Sequence, residues 1–164
     1  SLARVNMGKA VLDPTQIPVA LTGDKIIDRP VQINGNDYRI TCVSMGNPHC
    51  VVFCDIVDNL DIDTLGPQFE YNPLFPDRVN AEFVKVINKN TLKLRVWERG
   101  SGETWACGTG ACAAAVAAVE NGYCNKNEDI VVKLIGGELV IRYTDDAVYM
   151  TGNAEKSFEG VVEI

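Results

Sequence analysis

The sequence predicts an α+β domain in which a largely antiparallel, barrel-like sheet wraps one central buried helix. Three observations carry that reading. Residues Ala111 to Val119 are alanine and valine apart from Cys112, so a helix there has no polar face and must be covered on every side. About ten short β-rich segments fill most of the remaining chain, and turn-forming residues join most neighbours as hairpins. Strands and helices do not alternate, which argues against a βαβ fold with a parallel sheet.

The elements follow in order. Ala3 to Met7 predicts a strand, ended by Gly8 and a connection carrying Pro14 and Pro18; Ile17 to Leu21 predicts another short one. Pro30 to Ser44 predicts a hairpin. Val31 and Ile33 alternate with polar residues, Asn34-Gly35-Asn36-Asp37 turns the chain, and Tyr38, Ile40 and Cys42 alternate on the return. His49 to Asp55 is almost continuously apolar, as a buried strand is. Leu60, Leu65 and Phe69 give helical spacing over Asp61 to Glu70, with Gly66-Pro67 as a blemish. Val79 to Val86 and Thr91 to Glu98 form a hairpin across Asn88-Lys89-Asn90. The central helix runs from Cys107 to Asn121 and stops at Gly122, the residue type that favours the position just past a helix end. Asp129 to Ile135, Glu138 to Tyr143 and Val148 to Gly152 predict three strands linked by Gly136-Gly137 and Asp145-Asp146, and Ser157 to Glu163 predicts a last one.

Composition limits the function. The chain has 164 residues, enough for one domain with a full core. Its formal charge of −7, from 15 basic and 22 acidic residues, disfavours nucleic-acid and anionic-membrane partners. The longest apolar stretch is too short for a membrane span, and no signal peptide is read. Six cysteines in a domain with its own core read as reduced thiols of a cytoplasmic protein rather than a disulfide framework.

Cys107 is the sharpest candidate for chemistry. The first N–H groups of a helix lack intrahelical partners, and the helix dipole adds partial positive charge there. Gly108 and Gly110 leave those amides open to an anion. A thiol at that point is expected to lean toward thiolate, and so to alkylate faster near neutral pH than Cys42, Cys54 or Cys112, which read as core. Gly108-Thr109-Gly110-Ala111-Cys112-Ala113 also fits a dinucleotide-binding pattern. However, Arg99 to Ala106 separate it from the preceding strand, and a hairpin follows the helix, so nucleotide binding is rejected. His49 is the only histidine. Beside Cys50 and Cys54 it lacks the paired spacing of a zinc site, so no metal is expected. Asn47, Asn80 in the run from Phe75, and the pair Glu98-Arg99 complete the candidates.

Taken together, Gly46-Asn47-Pro48-His49, the run from Phe75 to Asn80 with Phe83-Val84 behind it, Glu98-Arg99-Gly100-Ser101-Gly102-Glu103-Thr104 and Ala106-Cys107-Gly108-Thr109-Gly110 resemble the diaminopimelate epimerase family, in the family's order and over nearly the whole chain. The resemblance implies a domain of sheet wrapped round a helix. It also implies inversion of an amino-acid α-carbon in lysine biosynthesis, without pyridoxal phosphate or other cofactor, by two cysteines facing each other across the substrate. Carried over, Cys107 is one acid/base thiol, with His49 and Glu98 beside it. Asn47, Asn80, Glu98, Arg99, Gly108 and Thr109 hold the amino acid, with the Gly108 and Thr109 amides on its α-carboxylate and Arg99 on the distal one. The family's other cysteine lies in an N-terminal half of comparable size. This chain resembles the C-terminal half alone, so it is expected to be inactive by itself, with that half as its missing partner and a homodimer as a possibility for the full length. Two other readings stand beside this one: half of a proline-racemase-like enzyme, against which Arg99 argues, and a non-catalytic binding module of the same fold.

Overall fold

Burial of the alanine-rich stretch decides the architecture. In the computed structural model, which describes residues 2–153, helix α2 (Gly108–Glu120) carries no charged residue before Glu120 at its end, and Ala111 through Ala118 are all buried. Around it runs one ten-stranded sheet. Its strands are β1 (Leu2–Asn6), β2 (Arg29–Ile33), β3 (Asn36–Ser44), β4 (Pro48–Phe53), β5 (Asn80–Asn88), β6 (Thr91–Glu98), β7 (Gly102–Thr104), β8 (Asp129–Leu134), β9 (Gly137–Tyr143) and β10 (Val148–Asn153). The hydrogen-bonded order is β1-β10-β9-β8-β6-β5-β4-β3-β2, with β7 on β6. The path is open, with β1 and β2 at its ends. Most pairs are antiparallel, while β4–β5 and β6–β8 are parallel. The predicted strand from Ser157 to Glu163 lies outside the described residues.

Turn chemistry sets the register. Asn34 and Gly35 both take positive φ, 52° and 80°, as a two-residue hairpin loop of the twist-matching type requires. Ile17 to Leu21 is not a strand. Asp13 Oδ1 accepts from both the backbone N and the hydroxyl of Thr15, and the Asp13 carbonyl accepts from Gln16 and Ile17. That local bonding curls the chain, and the apolar side chains of Ile17 and Val19 enter the core from a turn. Strand β7 is too short to read from sequence. It exists because Gly102 to Thr104 fold back on Val96 to Glu98.

The sheet has a core on each face. One cluster surrounds α2; the other packs helix α1 (Ile62–Glu70) against Phe75, Ala81, Phe83 and the β2–β3 hairpin. Two edge-to-face contacts, Tyr38–Phe69 and Phe69–Phe83, centre that second cluster. Gly66, the blemish in α1, lies against Trp97, where any β-carbon would overlap the indole.

Candidate active site

Strand parity brings the polar residues to one place. Side chains alternate faces along a strand, so His49 shares the α2 side of β4 with Val51, Glu82 shares that of β5 with Val84, and Glu98 shares that of β6 with Leu92 and Leu94. In the parallel β4–β5 pair His49 stands opposite Asn80. All of these reach the end of the sheet where α2 begins.

Cys107 is the N-cap of α2. Its extended backbone starts the helix and its Sγ accepts from Gly110 N at 3.2 Å, as a capping oxygen does elsewhere. The Ala111 N–H goes to the Cys107 carbonyl. Among the described residues, no acceptor is recorded for the amides of Gly108 and Thr109, two of the first-turn donors that a helix leaves without intrahelical partners. Thr109 Oγ1 lies 3.7 Å from Sγ and accepts from Asn47 Nδ2 at 3.3 Å.

The chain of contacts continues inward. Asn47 Oδ1 lies 2.8 Å from His49 Nε2, and His49 Nδ1 lies 2.9 Å from Glu82 Oε2. An amide oxygen only accepts, so Nε2 carries the proton of its bond. The Nδ1–Oε2 contact therefore holds one proton between a ring nitrogen and a carboxyl oxygen. Asn80 ties the other side: its Nδ2 donates to the Pro48 carbonyl and its Oδ1 accepts from the Arg99 amide, both within 2.9 Å. Glu98 Oε1 accepts from the Thr104 hydroxyl at 2.7 Å, and the Arg99 guanidinium donates to the Asp77 carbonyl at 3.0 Å. Cys107, Thr109, Asn47, His49 and Glu82 thus form one linked group, with Asn80 tying the adjacent Pro48 backbone to that of Arg99. A cleft of about 590 Å³ on the β2–β3 hairpin, lined by Pro30 to Gln32 and Asp37 to Arg39, shares no residue with it.

The electrostatics reverse one expectation. Burial, then the charges of Glu82 and Glu98, push the Cys107 thiol up to about 12, outweighing the downward pull of Thr109 and the Gly110 amide. Cys107 is 7% exposed, whereas Cys54 is half-buried. Burial and the two carboxylates thus oppose the thiolate that the helix start favours. Cys112 is pushed up to about 12 by burial alone. All six cysteines are unbridged. Among the described residues, no three histidine, cysteine or carboxylate side chains converge as metal ligands, and no helix is long and apolar enough to cross a membrane.

Two buried carboxyl neighbours escape a motif reading. Glu82 is fully buried on β5. Glu70, at the end of α1, accepts from Trp97 Nε1 through one oxygen and from Arg78 Nη1 and Gly100 N through the other, at 2.8–3.0 Å. It clamps the turn that follows Glu98 and Arg99. The signal for Glu82 was its inward parity between Ala81 and Phe83; for Glu70, nothing local distinguished it from a solvated helix end.

Residues 41–157 match the diaminopimelate epimerase family. The diaminopimelate epimerase of Acetivibrio thermocellus is 52% identical over 99% of this chain and 58% of its own length, and that of Moorella thermoacetica 51% identical over 96% and 56%. The chain thus spans a little over half the length of these curated relatives. Among solved structures, a probable proline racemase from Agrobacterium radiobacter superposes with a TM-score of 0.66 at 12% identity, covering 93% of this chain and 50% of that one. A hydroxyproline epimerase from Agrobacterium vitis superposes at 0.64 and 13%, covering 93% and 49%. At such identities they share the fold alone.

Proposed function

The chain belongs to the diaminopimelate epimerase family, and on that premise we propose that it supplies one acid/base half of a cofactor-independent epimerase acting between LL- and meso-diaminopimelate in lysine biosynthesis. The observation that carries the proposal is the convergence, at one helix start, of a cysteine cap, two free amides and a linked set of side chains drawn from four distant segments.

The amides of Gly108 and Thr109 lie in the first turn of α2, where the helix dipole is positive, the arrangement that holds a carboxylate and steadies the charge that grows as an α-proton leaves. Cys107 Sγ lies beside them and exchanges a proton with one face of the α-carbon. Glu98 stands where an α-ammonium neutralises it. Bound there, the ammonium offsets one of the two charges that hold the thiol up and eases ionisation during turnover. Asn47 and Asn80 fix the two loops that frame the substrate, with His49 behind Asn47 and Arg99 offering its guanidinium to the distal carboxylate.

Inversion needs a donor on one face and an acceptor on the other, each within hydrogen-bond reach. This helix start serves one face. The second thiol belongs to the part of the relatives outside the matched span, and the 164-residue chain alone does not turn over. The test is stereochemical interconversion of LL and meso substrate by the chain alone and by the chain joined to the preceding part of the Acetivibrio relative. Activity in the joined protein only, abolished by Cys107→Ala, is expected. Turnover by the chain alone that survives Cys107→Ala defeats the proposal.

A further inference from the structure

Glu70 is buried at the end of α1, and its carboxylate joins segments that are far apart in the chain. The oxygen that accepts from Arg78 Nη1 and Gly100 N is the informative one, because these two donors flank the supports of Arg99. Arg99 is held at both ends. Its backbone N–H donates to Asn80 Oδ1, and its guanidinium donates to the Asp77 carbonyl. Gly100 follows Arg99 in the chain, and Arg78 follows Asp77. One carboxylate oxygen therefore pins the neighbour of the donor residue and the neighbour of the acceptor residue. Arg78 also takes a left-handed backbone, with φ 61°, which disfavours any residue but glycine. Its bonds to Glu70 and to the Phe75 carbonyl hold it there.

We propose that Glu70 is the positioning residue that fixes the Arg99 guanidinium at one distance from the start of α2, and so selects amino acids that carry a second carboxylate at that distance. That Arg99 meets the distal carboxylate rests on the epimerase reading; that Glu70 places Arg99 does not.

Two sets of bonds define the distance. Asn80 donates to the Pro48 carbonyl, next to Asn47, and Asn47 donates to Thr109 in the first turn of α2. That series ties the Arg99 backbone to the helix start. The other end of the side chain depends on where the Asp77 carbonyl stands, and Glu70 sets that through Arg78. An arginine left loose would have to be ordered by each substrate that binds, at a cost in affinity. Held on the Asp77 carbonyl, it is ordered beforehand, and that bond uses one guanidinium donor of several. A carboxylate gains the paired bonds of a guanidinium only when it arrives in the right place. A shorter or longer substrate misses it.

The first test needs only the 164-residue chain. Nitrogen-15 relaxation gives the order parameter of the Arg99 Nε–Hε bond, in the unsubstituted chain and in Glu70→Gln. Arg95 on β6 is the reference, because Glu103 and the carbonyls of Val57 and Leu60 hold its guanidinium without Glu70. The expected result is a fall at Arg99 to below about 0.6, the range of a flexible group, with Arg95 unchanged. An Arg99 already below that value in the unsubstituted chain overturns the proposal. So does one that ignores Glu70→Gln, or an equal fall at Arg95, which marks general loosening. The second test uses the joined protein. Glu70→Gln is expected to raise KM for diaminopimelate about tenfold, the worth of one charge-assisted hydrogen bond. Little change in kcat is expected, since the distal carboxylate keeps its charge throughout the reaction. As inhibitors, 2-aminopimelate should weaken with KM, and 2-aminoheptanoate, which lacks the distal carboxylate, should not. A fall in kcat at unchanged KM, or equal weakening of both inhibitors, marks a merely structural Glu70 and overturns the proposal. Should Glu70→Gln not fold, Arg78→Met replaces it with the same expected results, because that side chain is 45% exposed. An active joined protein whose Arg99 ignores both substitutions removes Glu70 and leaves the epimerase reading. A Glu70-dependent Arg99 in a joined protein that never epimerises does the reverse.

Discussion

Gly66→Ala is expected to destabilise the chain, although alanine in mid-helix normally gains about 1 kcal/mol over glycine. The structure gives the reason. A β-carbon at Gly66 would overlap Cγ and Cδ2 of Trp97 and stand 2.7 Å from Cε3. The indole has little room to retreat, because Nε1 donates to Glu70 at 2.9 Å and the ring packs on the cluster holding Phe69 and Phe83. Overpacking a core costs roughly 1–3 kcal/mol, and losing a hydrogen bond to a buried carboxylate about 1.5–3 kcal/mol more. Set against the helical gain, the net loss is about 1.5–5 kcal/mol. Guanidinium denaturation followed by circular dichroism and by Trp97 emission, with Trp105→Phe removing the exposed second tryptophan, measures it. A Gly66→Ala chain as stable as its parent refutes the claim that α1 is glycine-dependent where it meets β6.

Two further outcomes follow from the buried carboxylates. Glu70→Gln leaves the size unchanged but weakens the bonds to Arg78 and Gly100 N; a loss of about 1–3 kcal/mol in the denaturation midpoint is expected, with Gly100 and Ser101 amides exchanging faster with solvent. For Glu82 the sign is fixed by its upward displacement from 4.5 to about 7. Between those values the folded chain holds the proton and the unfolded chain does not, so stability contributed by Glu82 is full below 4.5 and lost as pH rises through 7. The parent should therefore lose stability relative to Glu82→Gln on going from pH 4.5 to 7.5, by on the order of 1–3 kcal/mol; equal pH dependence in the two chains contradicts it.

What could be read from sequence depended on how local its cause was. The central helix needed only composition, since a segment without a polar face has one place to go. The β2–β3 hairpin needed only Asn34-Gly35. Ile17 to Leu21 misled because its apolar residues do reach the core, while the backbone that carries them is bent by Asp13, four residues upstream of Ile17. The Gly66-Pro67 irregularity could be seen but not explained, because its cause is Trp97 on another element.

Cys107 marks the boundary most clearly. Its place at the helix start was legible, because a glycine-flanked cysteine before an apolar helix is a local pattern. The sign of its proton affinity was not. The helix start favours a thiolate, but Glu82 and Glu98 arrive from β5 and β6, and only pairing of those strands puts both on the α2 side. The same parity that hides Val84 and Leu94 in the core delivers two carboxylates to the sulfur. A thiol held up in this way parts with its proton less readily than a free one and recovers it more readily. The sheet register, rather than the cysteine motif alone, therefore sets the charge around this sulfur.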